Sequence, residues 1–299
     1  MKYVSFVGPT GIVAGVVHDA AVIPLPGGGS VDWAGQPVGL LEHIVKGEQV
    51  TTPTDEAAVA LDSVQLAAPI PVPRRNIMCV GQNYVQHSIE FDASGYNATA
   101  GQGIPDRPVV FTKAPTTVIG PDAVIPAHTS LTQKLDYEAE LGVIIGTGAT
   151  RISRDDAMSH VWGYTIINDV TARDIQHAHR QWFLGKSMDG FCPMGPFAVT
   201  ADEIDHRDLL IETRVNGELR QSGKTSDLIF DVPDLIAIIS AGMTLLPGDI
   251  IATGTPPGVG IGFKPPRFLQ PGDVIEMSIS GLGTLINTVA RDTGNTDDD

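Results

Sequence analysis

Acidic side chains alternate along the apolar run at 135–145, which reads LDYEAELGVII. In a β-strand alternate side chains share a face, so Asp136, Glu138 and Glu140 would project from one side. Three carboxylates on the face of a core strand cost desolvation and repel one another unless a cation lies among them. An exposed edge strand, whose acids discourage aggregation, explains the same pattern. This run alone leaves both interpretations open.

A further acid ends the apolar run at 163–169, GYTIIND, directly before a helix-like stretch at 172–183. Asp169 would lie at the tip of a strand, where side chains from neighbouring strands converge. A turn or helix-capping role is the alternative for this residue. Together Glu138, Glu140 and Asp169 would form a ligand set made of oxygen atoms. Such a set suits Mg²⁺ or Mn²⁺, with Ca²⁺ as a further option, rather than zinc.

Two pairs of residues that include histidine differ in their spacing. His87 and Glu90 are three residues apart after the apolar run at 77–80, so a helix would place both on one face. A carboxylate bonded to one imidazole nitrogen raises the basicity of the other, which makes a general base; a solvated surface pair has the same spacing. His177 and His179 would point about 200° apart around a helix and could not chelate one ion together.

Short apolar runs separated by turn residues predict that strands carry most of these groups. Strands are predicted at 3–7, 12–17, 21–25, 77–80, 109–112, 135–145, 163–169, 209–215, 249–253 and 274–279. Helices are predicted at 39–47, 55–66, 84–90, 172–183 and 231–240. The stretch at 92–106 has no periodicity, and a loop of this length in a compact domain is usually functional or disordered. An active-site lid is one interpretation of it.

Prolines suggest how the chain is divided. Pro69, Pro71 and Pro73 cannot continue a helix and predict an extended linker. We therefore expect a small N-terminal domain at 1–70 and a larger domain at 71–299, with a flexible acidic tail at 293–299.

The composition argues against several classes of protein. The 299 residues carry a net charge of −16, which nucleic acids and anionic membrane surfaces would repel. No apolar run reaches the ~18 residues of a membrane span. Cys79 and Cys192 lie in apolar stretches, so two buried free thiols are more plausible than a disulfide framework. We expect a cytoplasmic protein that binds neither nucleic acid nor membranes.

Five ordered blocks within residues 77–260 resemble the fumarylacetoacetate hydrolase family. They are GQNY at 81–84 followed by His87 and Glu90, DYEAEL at 136–141, the run at 163–174, GKSMDGFCPMGP at 185–196 and GDIIATGTPPGVG at 248–260. The resemblance implies an α+β, mostly β fold, namely a mixed β-sandwich roll behind a small N-terminal domain. It also implies assembly as a homodimer.

The resemblance assigns roles to particular residues. Glu138, Glu140 and Asp169 would bind the divalent metal, Mg²⁺ or Mn²⁺. His87, Glu90 and Lys186 would be catalytic, with the histidine and its glutamate on a segment that orders over the substrate. The implied substrate-binding positions are Tyr84, Arg173, Gln176, Lys186 and Thr253.

The implied chemistry concerns small keto acids. A 1,3-diketo or 2-keto acid can chelate the metal, which then stabilises the enolate that leaves when a C–C bond breaks. The His87–Glu90 pair favours hydrolysis because a water nucleophile needs a base. We therefore predict a metal-dependent hydrolase that cleaves a C–C bond in a 1,3-diketo or acylpyruvate-type acid. The same site could decarboxylate or tautomerise a β-keto acid such as oxaloacetate, or isomerise or hydrate a 2-keto acid in aromatic catabolism. A non-enzymatic Ca²⁺-binding protein is a further alternative.

Overall fold

The computed structural model of the protein describes residues 1–9, 11–26, 35, 38–47, 58–96 and 104–291. Strands dominate these residues: β1 (Lys2–Gly8), β2 (Gly11–His18), β3 (Ala21–Pro24), β4 (Val59–Ala60), β5 (Leu66–Ala67), β6 (Ile77–Gly81), β7 (Val109–Lys113), β8 (Val118–Ile119), β9 (Val124–Ile125), β10 (Leu135–Asp136), β11 (Ala139–Ile145), β12 (Val161–Asn168), β13 (Thr171–Ala172), β14 (Cys192–Thr200), β15 (Leu210–Val215), β16 (Glu218–Lys224), β17 (Ile250–Ala252), β18 (Val274–Ile279) and β19 (Gly283–Val289). The α-helices are α1 (Leu41–Lys46), α2 (Val85–Ala93), α3 (Arg173–Ala178), α4 (Phe183–Lys186) and α5 (Val232–Ser240).

Most strands of the described residues join one large mixed sheet. Its order is β4-β3-β2-β1-β14-β12-β11-β17-β6-β7, with β5 beside β1 and β8 beside β14. A second sheet has the order β16-β15-β18-β19-β9, and β10 pairs with β13. None of the helices in the described part of the chain has the length and apolar character of a membrane span.

The two larger sheets pack face to face through side chains that alternate along their strands. Leu141 of β11 and Ile166 of β12 share one hydrophobic core with Ile211 of β15 and Met277 of β18. The opposite face of the large sheet carries Ile144 of β11, which lies in a second core with residues of α1. Burial of these two faces is the main driving force for the fold. The prediction of a mostly β protein with few helices is confirmed.

The three predicted N-terminal strands form an antiparallel meander that also extends the large sheet. β1 pairs with β2, and β2 pairs with β3. β1 also pairs with β14, where Tyr3 lies opposite Ala198. Leu41 of α1 packs in the same core as Ile144. A domain boundary near residue 70 stays a prediction, and the hydrogen bonding of the sheet runs across that point.

The helix predicted at 55–66 is wrong for the residues that the structure describes. Residues 55–57 lie outside the described residues, and β4, a short 3₁₀ turn and β5 occupy 59–67. Val59 pairs with Val22 of β3, so pairing in the sheet outweighs the local helix propensity.

The single strand predicted at 135–145 is interrupted between β10 and β11. The N–H of Tyr137 donates to Asp136 Oδ1 at 2.9 Å, and the N–H of Glu138 donates to Asn168 Oδ1 at 3.1 Å. These side chains replace the backbone partners that a continuous ladder would supply. Asp136 therefore does not continue the alternation of Glu138 and Glu140.

The helix predicted at 172–183 is divided into α3 and α4. Arg180 between them has a φ of 59°, a left-handed conformation that a right-handed helix does not contain. The sequence pattern also fails to predict β14, β16 and β19. β14 contains Pro193 and Pro196, which are unusual inside a sheet, and β16 is a polar edge strand.

Two further predicted segments extend beyond the described residues. α2 continues through Ala93, but residues 97–103 of the predicted lid lie outside the described residues. The same holds for the predicted tail at 293–299.

Candidate metal centre and substrate cleft

Three carboxylates meet at one end of the β11–β12 pair. Ala139 lies opposite Asn168 in the antiparallel register, so Glu138 and Asp169 face each other one position beyond the ladder. The N–H of Asp169 donates to the carbonyl oxygen of Glu138 at 2.9 Å. One ligand oxygen from each of Glu138, Glu140 and Asp169 lies within 4.8 Å of the others, and all three side chains are buried. The predicted ligand set is therefore brought together by strand register.

Two buried lysines bind these carboxylates. Lys186 Nζ lies 2.9 Å from Glu138 Oε2 and 2.8 Å from Asp169 Oδ2. Lys113 Nζ, at the end of β7, lies 2.6 Å from Asp169 Oδ1. Both oxygens of Asp169 are thus held by a cation, which fixes the orientation of its carboxylate.

Arg173, at the start of α3, connects the centre to Asp136. Its guanidinium lies 2.6 Å from Glu138 Oε1 and 2.8 Å from Asp136 Oδ2. Asp136 also accepts the N–H of Gly260 at 2.7 Å. Asp136 therefore fixes the orientation of the Arg173 guanidinium, which also contacts Glu138. The role of Arg173 in substrate binding stays a prediction.

The carboxylates do not share these cations equally. Burial opposes the ionisation of Glu138, yet Lys186 and Arg173 lower its pKa to about 2. No ion pair of Glu140 occurs within the described residues. Burial first, and then the charges of Asp169 and Glu138, raise the pKa of Glu140 well above its usual value.

The charge balance of the centre fits a divalent cation. When ionised, the four buried carboxylates (Asp136, Glu138, Glu140 and Asp169) face three buried cations in the described part of the chain (Lys113, Arg173 and Lys186). One negative charge is then in excess, and an uncompensated buried charge is costly. A hard divalent ion held by the two glutamates and Asp169 would outweigh this excess and leave one positive charge for an anionic ligand to balance, and carboxylate oxygens are its preferred ligands.

A small cleft with a cavity volume of about 10 Å³ lies beside the carboxylate centre. Its polar lining consists of Gln82, His87, Glu138, Arg173, Gln176 and Lys186. Three aromatic side chains, Phe91, Phe111 and Trp182, complete the wall. The structure therefore brings five of the predicted site residues to one cleft: His87, Glu138, Arg173, Gln176 and Lys186.

A larger open groove of about 1120 Å³ lies elsewhere, beside residues 201–207 and the start of α5. Its most prominent charges are exposed and paired, since Arg154 lies 2.5 Å from Asp231 and 2.7 Å from Asp234. The carboxylate centre does not line this groove. We therefore assign the site to the smaller cleft.

His87 and Glu90 lie on one face of α2, as their spacing predicts, but they do not form a hydrogen bond. His87 Nδ1 and Glu90 Oε2 are 4.0 Å apart, and the Glu90 carboxylate accepts the N–H of Gly258 at 3.0 Å instead. Burial is the main cause that lowers the pKa of His87 to about 4, so its imidazole is neutral at pH 7. Burial also raises the pKa of Glu90. A catalytic dyad stays a prediction.

Two predicted substrate-binding residues carry unpaired hydroxyl groups. The Tyr84 and Thr253 hydroxyls are buried and have no hydrogen-bond partner within the described residues, and the same is true of His87 Nδ1. Burial, and to a lesser degree Glu140, raise the pKa of the Tyr84 hydroxyl. Buried polar atoms are rarely left unpaired, so these groups are candidates to bind a ligand.

Lys113 and Asn83 are two further residues that shape the site and that sequence reasoning did not assign. Lys113 is a buried lysine that ends an apolar strand, which is an unusual place for a charge. The Asn83 amide donates to the carbonyl oxygens of Thr253 at 2.8 Å and Phe230 at 2.9 Å. Asn83 lies inside the GQNY block, so its sequence motif could have indicated a role at the site. The contact of Lys113 with Asp169 depends on the tertiary fold, and no sequence motif indicates it.

Comparison with known proteins identifies the wider group to which this site belongs. A family model described as fumarylacetoacetate (FAA) hydrolase C-terminal matches residues 76–290. The chain is 49% identical over 268 residues to oxaloacetate tautomerase YisK of Bacillus subtilis (strain 168), covering 85% of this chain and 87% of the relative.

Solved structures give the same result over almost the whole chain. A fumarylacetoacetate hydrolase from psychrophilic Exiguobacterium antarcticum is 48% identical, with a TM-score of 0.84 and coverage of 97% of this chain and 99% of that one. A 5-carboxymethyl-2-hydroxymuconate delta-isomerase from Mycobacterium smegmatis is 32% identical, with a TM-score of 0.75 and coverage of 97% and 100%. The matched region contains every residue of the carboxylate centre and its cleft, and the chain belongs to the fumarylacetoacetate hydrolase family of enzymes.

Proposed function

We propose that the protein is a divalent-metal-dependent keto–enol tautomerase of a small 2-oxo dicarboxylic acid such as oxaloacetate. The observation that carries the proposal is the neutral imidazole of His87, whose Nδ1 has no hydrogen-bond partner within the described residues, in the same cleft as Lys186 and Arg173. Tautomerisation moves one proton between an oxygen and the adjacent carbon, so it needs one group that accepts and returns a proton. It does not need a second group that activates water. The 49% identical relative that is an oxaloacetate tautomerase supports this choice.

Glu138, Glu140 and Asp169 would hold the metal, for which Mg²⁺ or Mn²⁺ is our proposal. When bound, such an ion acts as a Lewis acid that stabilises negative charge on substrate oxygens. Lys186 and Arg173 would attract the carboxylates of the substrate; that both line the cleft supports this role.

His87 would accept the enol proton and return it to carbon, or the reverse. The electron pair of the O–H bond becomes the carbonyl π bond while the former C=C pair takes the proton at carbon, so the reaction needs no oxidant or second substrate. Burial keeps His87 neutral, which leaves a lone pair free to accept this proton. The Tyr84 and Thr253 hydroxyls and Gln176 would orient the substrate.

Hydrolysis of a C–C bond in a 1,3-diketo or acylpyruvate-type acid is the second candidate. Glu90 lies 4.0 Å from His87, and a rotation of either side chain would create the dyad that activates water. The 48% identical solved structure described as a fumarylacetoacetate hydrolase supports this alternative. A homodimeric assembly and a cytoplasmic location also stay predictions, and light scattering tests the first.

Proton NMR in D₂O separates the candidates. With Mg²⁺ or Mn²⁺ present, a tautomerase accelerates exchange of the C3 protons of oxaloacetate without breaking the carbon chain. A hydrolase splits acetylpyruvate into two fragments, and a decarboxylase converts oxaloacetate to pyruvate and CO₂. Each reaction is compared with the same metal without protein and with protein in EDTA. If the protein exchanges oxaloacetate protons no faster than the protein-free control but cleaves acetylpyruvate faster than its control, tautomerisation is wrong and hydrolysis is supported.

His87→Gln tests the proposed base directly. General acid–base catalysis typically contributes about 10²–10⁴-fold, so kcat for exchange should fall by at least ~100-fold. His160→Gln is the matched control, because His160 contacts the carbonyl oxygen of Thr147 on the surface and does not line the cleft. A fall of equal size in both variants would remove His87 from the mechanism.

A further inference from the structure

The outer wall of the substrate cleft is built from three aromatic side chains on separate elements. Phe91 belongs to α2, Phe111 belongs to β7, and Trp182 directly precedes α4. The ring centroids of Phe91 and Trp182 are 5.7 Å apart at an interplanar angle of 89°, and those of Phe111 and Trp182 are 5.2 Å apart at 69°. Edge-to-face contacts at these distances are favourable. Trp182 therefore joins the other two rings into one wall.

The indole of Trp182 lies directly against the backbone of β6. A Cβ atom built on Gly81 would lie 2.3 Å from Cζ3 and 2.8 Å from Cη2 of Trp182. Both distances are far below van der Waals contact, so glycine at position 81 is required for the indole to occupy this place. Gly81 and Trp182 both line the cleft, and the indole fills space that any side chain at 81 would take.

Trp182 is also coupled to the cation that faces the substrate. Its carbonyl oxygen accepts the N–H of Lys186 at 3.1 Å, one helical turn later. Lys186 Nζ in turn lies 5.0 Å from the ring centroid of Phe111. The aromatic wall thus begins next to the charged end of the cleft, and a substrate whose carboxylate binds Lys186 would meet the wall within a few atoms.

The size of the cleft makes this wall restrictive. Its cavity volume of about 10 Å³ lies far below the ~300–1,000 Å³ typical of sites for drug-sized ligands. Any acid must therefore move part of the lining to enter, and a short acid must move it least. A branched or aryl substituent on the same acid would have to move Trp182 away from both aromatic neighbours.

We propose that Trp182 determines the specificity of the enzyme by limiting the length and bulk of the acid, so that short unbranched 2-oxo acids are accepted and aryl-substituted ones are excluded. This inference rests on the proposed function, because it concerns the substrate of the same cleft. Trp182 acts here as a barrier beside the reacting atoms and takes no part in proton transfer. Its removal should therefore change selectivity more than it changes the reaction of the small substrate.

The test compares wild type with Trp182→Ala and Trp182→Phe in the NMR exchange assay on oxaloacetate and phenylpyruvate with Mg²⁺. Relative to wild type, Trp182→Ala should raise the ratio of kcat/KM for phenylpyruvate to kcat/KM for oxaloacetate by at least ~10-fold. The same ratio for Trp182→Phe should lie between those of wild type and Trp182→Ala. Trp162→Phe is the control, since Trp162 packs on Tyr3 at 5.2 Å and does not line the cleft. Phenylpyruvate-to-oxaloacetate ratios that are the same in wild type and both Trp182 variants would overturn the inference.

Calorimetry with non-reacting ligands separates this inference from the proposed function. Oxamate and N-phenyloxamate share one head group and differ in the bulk of the substituent. In the presence of Mn²⁺, wild type should bind oxamate and exclude N-phenyloxamate, whereas Trp182→Ala should bind N-phenyloxamate at least ~10-fold more tightly than wild type does. If this shift occurs while wild type exchanges no oxaloacetate protons, the wall is supported and tautomerisation is wrong. If exchange occurs and the shift does not, the wall is wrong. Trp182→Phe keeps the test decisive should the alanine variant fail to fold.

Discussion

Replacing Lys113 by methionine tests whether buried cations hold the carboxylate centre together. Lys113 is fully buried, and its Nζ lies 2.6 Å from Asp169 Oδ1. Methionine keeps the unbranched apolar stem and removes the charge. Asp169 would then retain Lys186, at 2.8 Å, as its remaining cation. Removing one partner of a buried pair typically costs about 3–5 kcal/mol, because the other charge stays buried. We expect a loss near 3 kcal/mol, at the low end of that range, because Lys186 stays in place.

Urea unfolding in EDTA, followed by circular dichroism, measures this loss in free energy of unfolding. Lys224→Met is the matched control, since Lys224 Nζ lies 3.0 Å from Asp208 Oδ1 with side chains that are 51% and 63% exposed. An exposed pair of this kind contributes about 0–1 kcal/mol. Lys113→Met should therefore lose several times more stability than Lys224→Met. Equal losses in the two variants would refute the reasoning, because burial would then make no difference.

Repeating the measurement with Mg²⁺ or Mn²⁺ extends the same argument. A divalent ion beside Asp169 would supply positive charge that the Lys113→Met variant lacks. The difference in stability between wild type and variant should therefore narrow when metal is added. If metal instead increases the difference in stability between wild type and Lys113→Met, the ion does not compensate for the missing lysine charge.

Three further changes probe the same region. Glu140→Gln should leave the metal-free melting temperature unchanged or higher, because burial and the neighbouring negative charges raise the pKa of Glu140, and should abolish the rise in melting temperature on adding Mn²⁺. The pKa of His87 falls from 6.5 to about 4 on folding, so the unfolded state alone binds a proton between these values. About 3 kcal/mol of stability should therefore be present above pH 6.5 and lost as the pH falls towards 4. Urea unfolding with EDTA at pH 7, 5.5 and 4 measures this fall in the free energy of unfolding, and His87→Gln should not show the part of it that His87 causes. Asn83→Ala leaves the carbonyl oxygens of Thr253 and Phe230 without a buried donor and should cost about 2–4 kcal/mol by urea unfolding. The exposed Asn76, bonded to Thr112 at 3.1 Å, is its control as Asn76→Ala and should lose much less.

The ligand set of the candidate metal centre could be predicted because it follows from local rules. Alternation along a strand puts Glu138 and Glu140 on one face, and the polar end of an apolar run puts Asp169 at a strand tip. The antiparallel register, with Ala139 opposite Asn168, then brings the three together. Neither rule needs information from distant parts of the chain. The interruption at Tyr137 could not be predicted, because it depends on the Asn168 side chain across the sheet.

The cations and the aromatic wall could not be predicted in the same way. Lys113 reaches Asp169 across 56 positions of sequence, and no periodicity links the two residues. Trp182 meets Gly81 because the predicted long helix breaks at Arg180 and turns the chain. The spacing of His87 and Glu90 gave the correct helical face, but the bond of Glu90 with Gly258 comes from a loop that approaches α2 in the folded protein.

Charge also predicts the order in which metal and substrate bind. The ionised centre holds one excess negative charge among its described residues, and a divalent ion would change this to one excess positive charge. A dicarboxylate such as oxalate would therefore be repelled before the metal binds and attracted afterwards. Two unit charges 4 Å apart interact by about 4 kcal/mol at an effective dielectric constant of 20, so the affinity for oxalate should rise at least ~100-fold with Mg²⁺. Calorimetric titration of oxalate with Mg²⁺ and with EDTA measures this ratio. Equal affinities would mean that Lys186 and Arg173 suffice to bind the dianion, and the centre would then not need a metal to balance its charge.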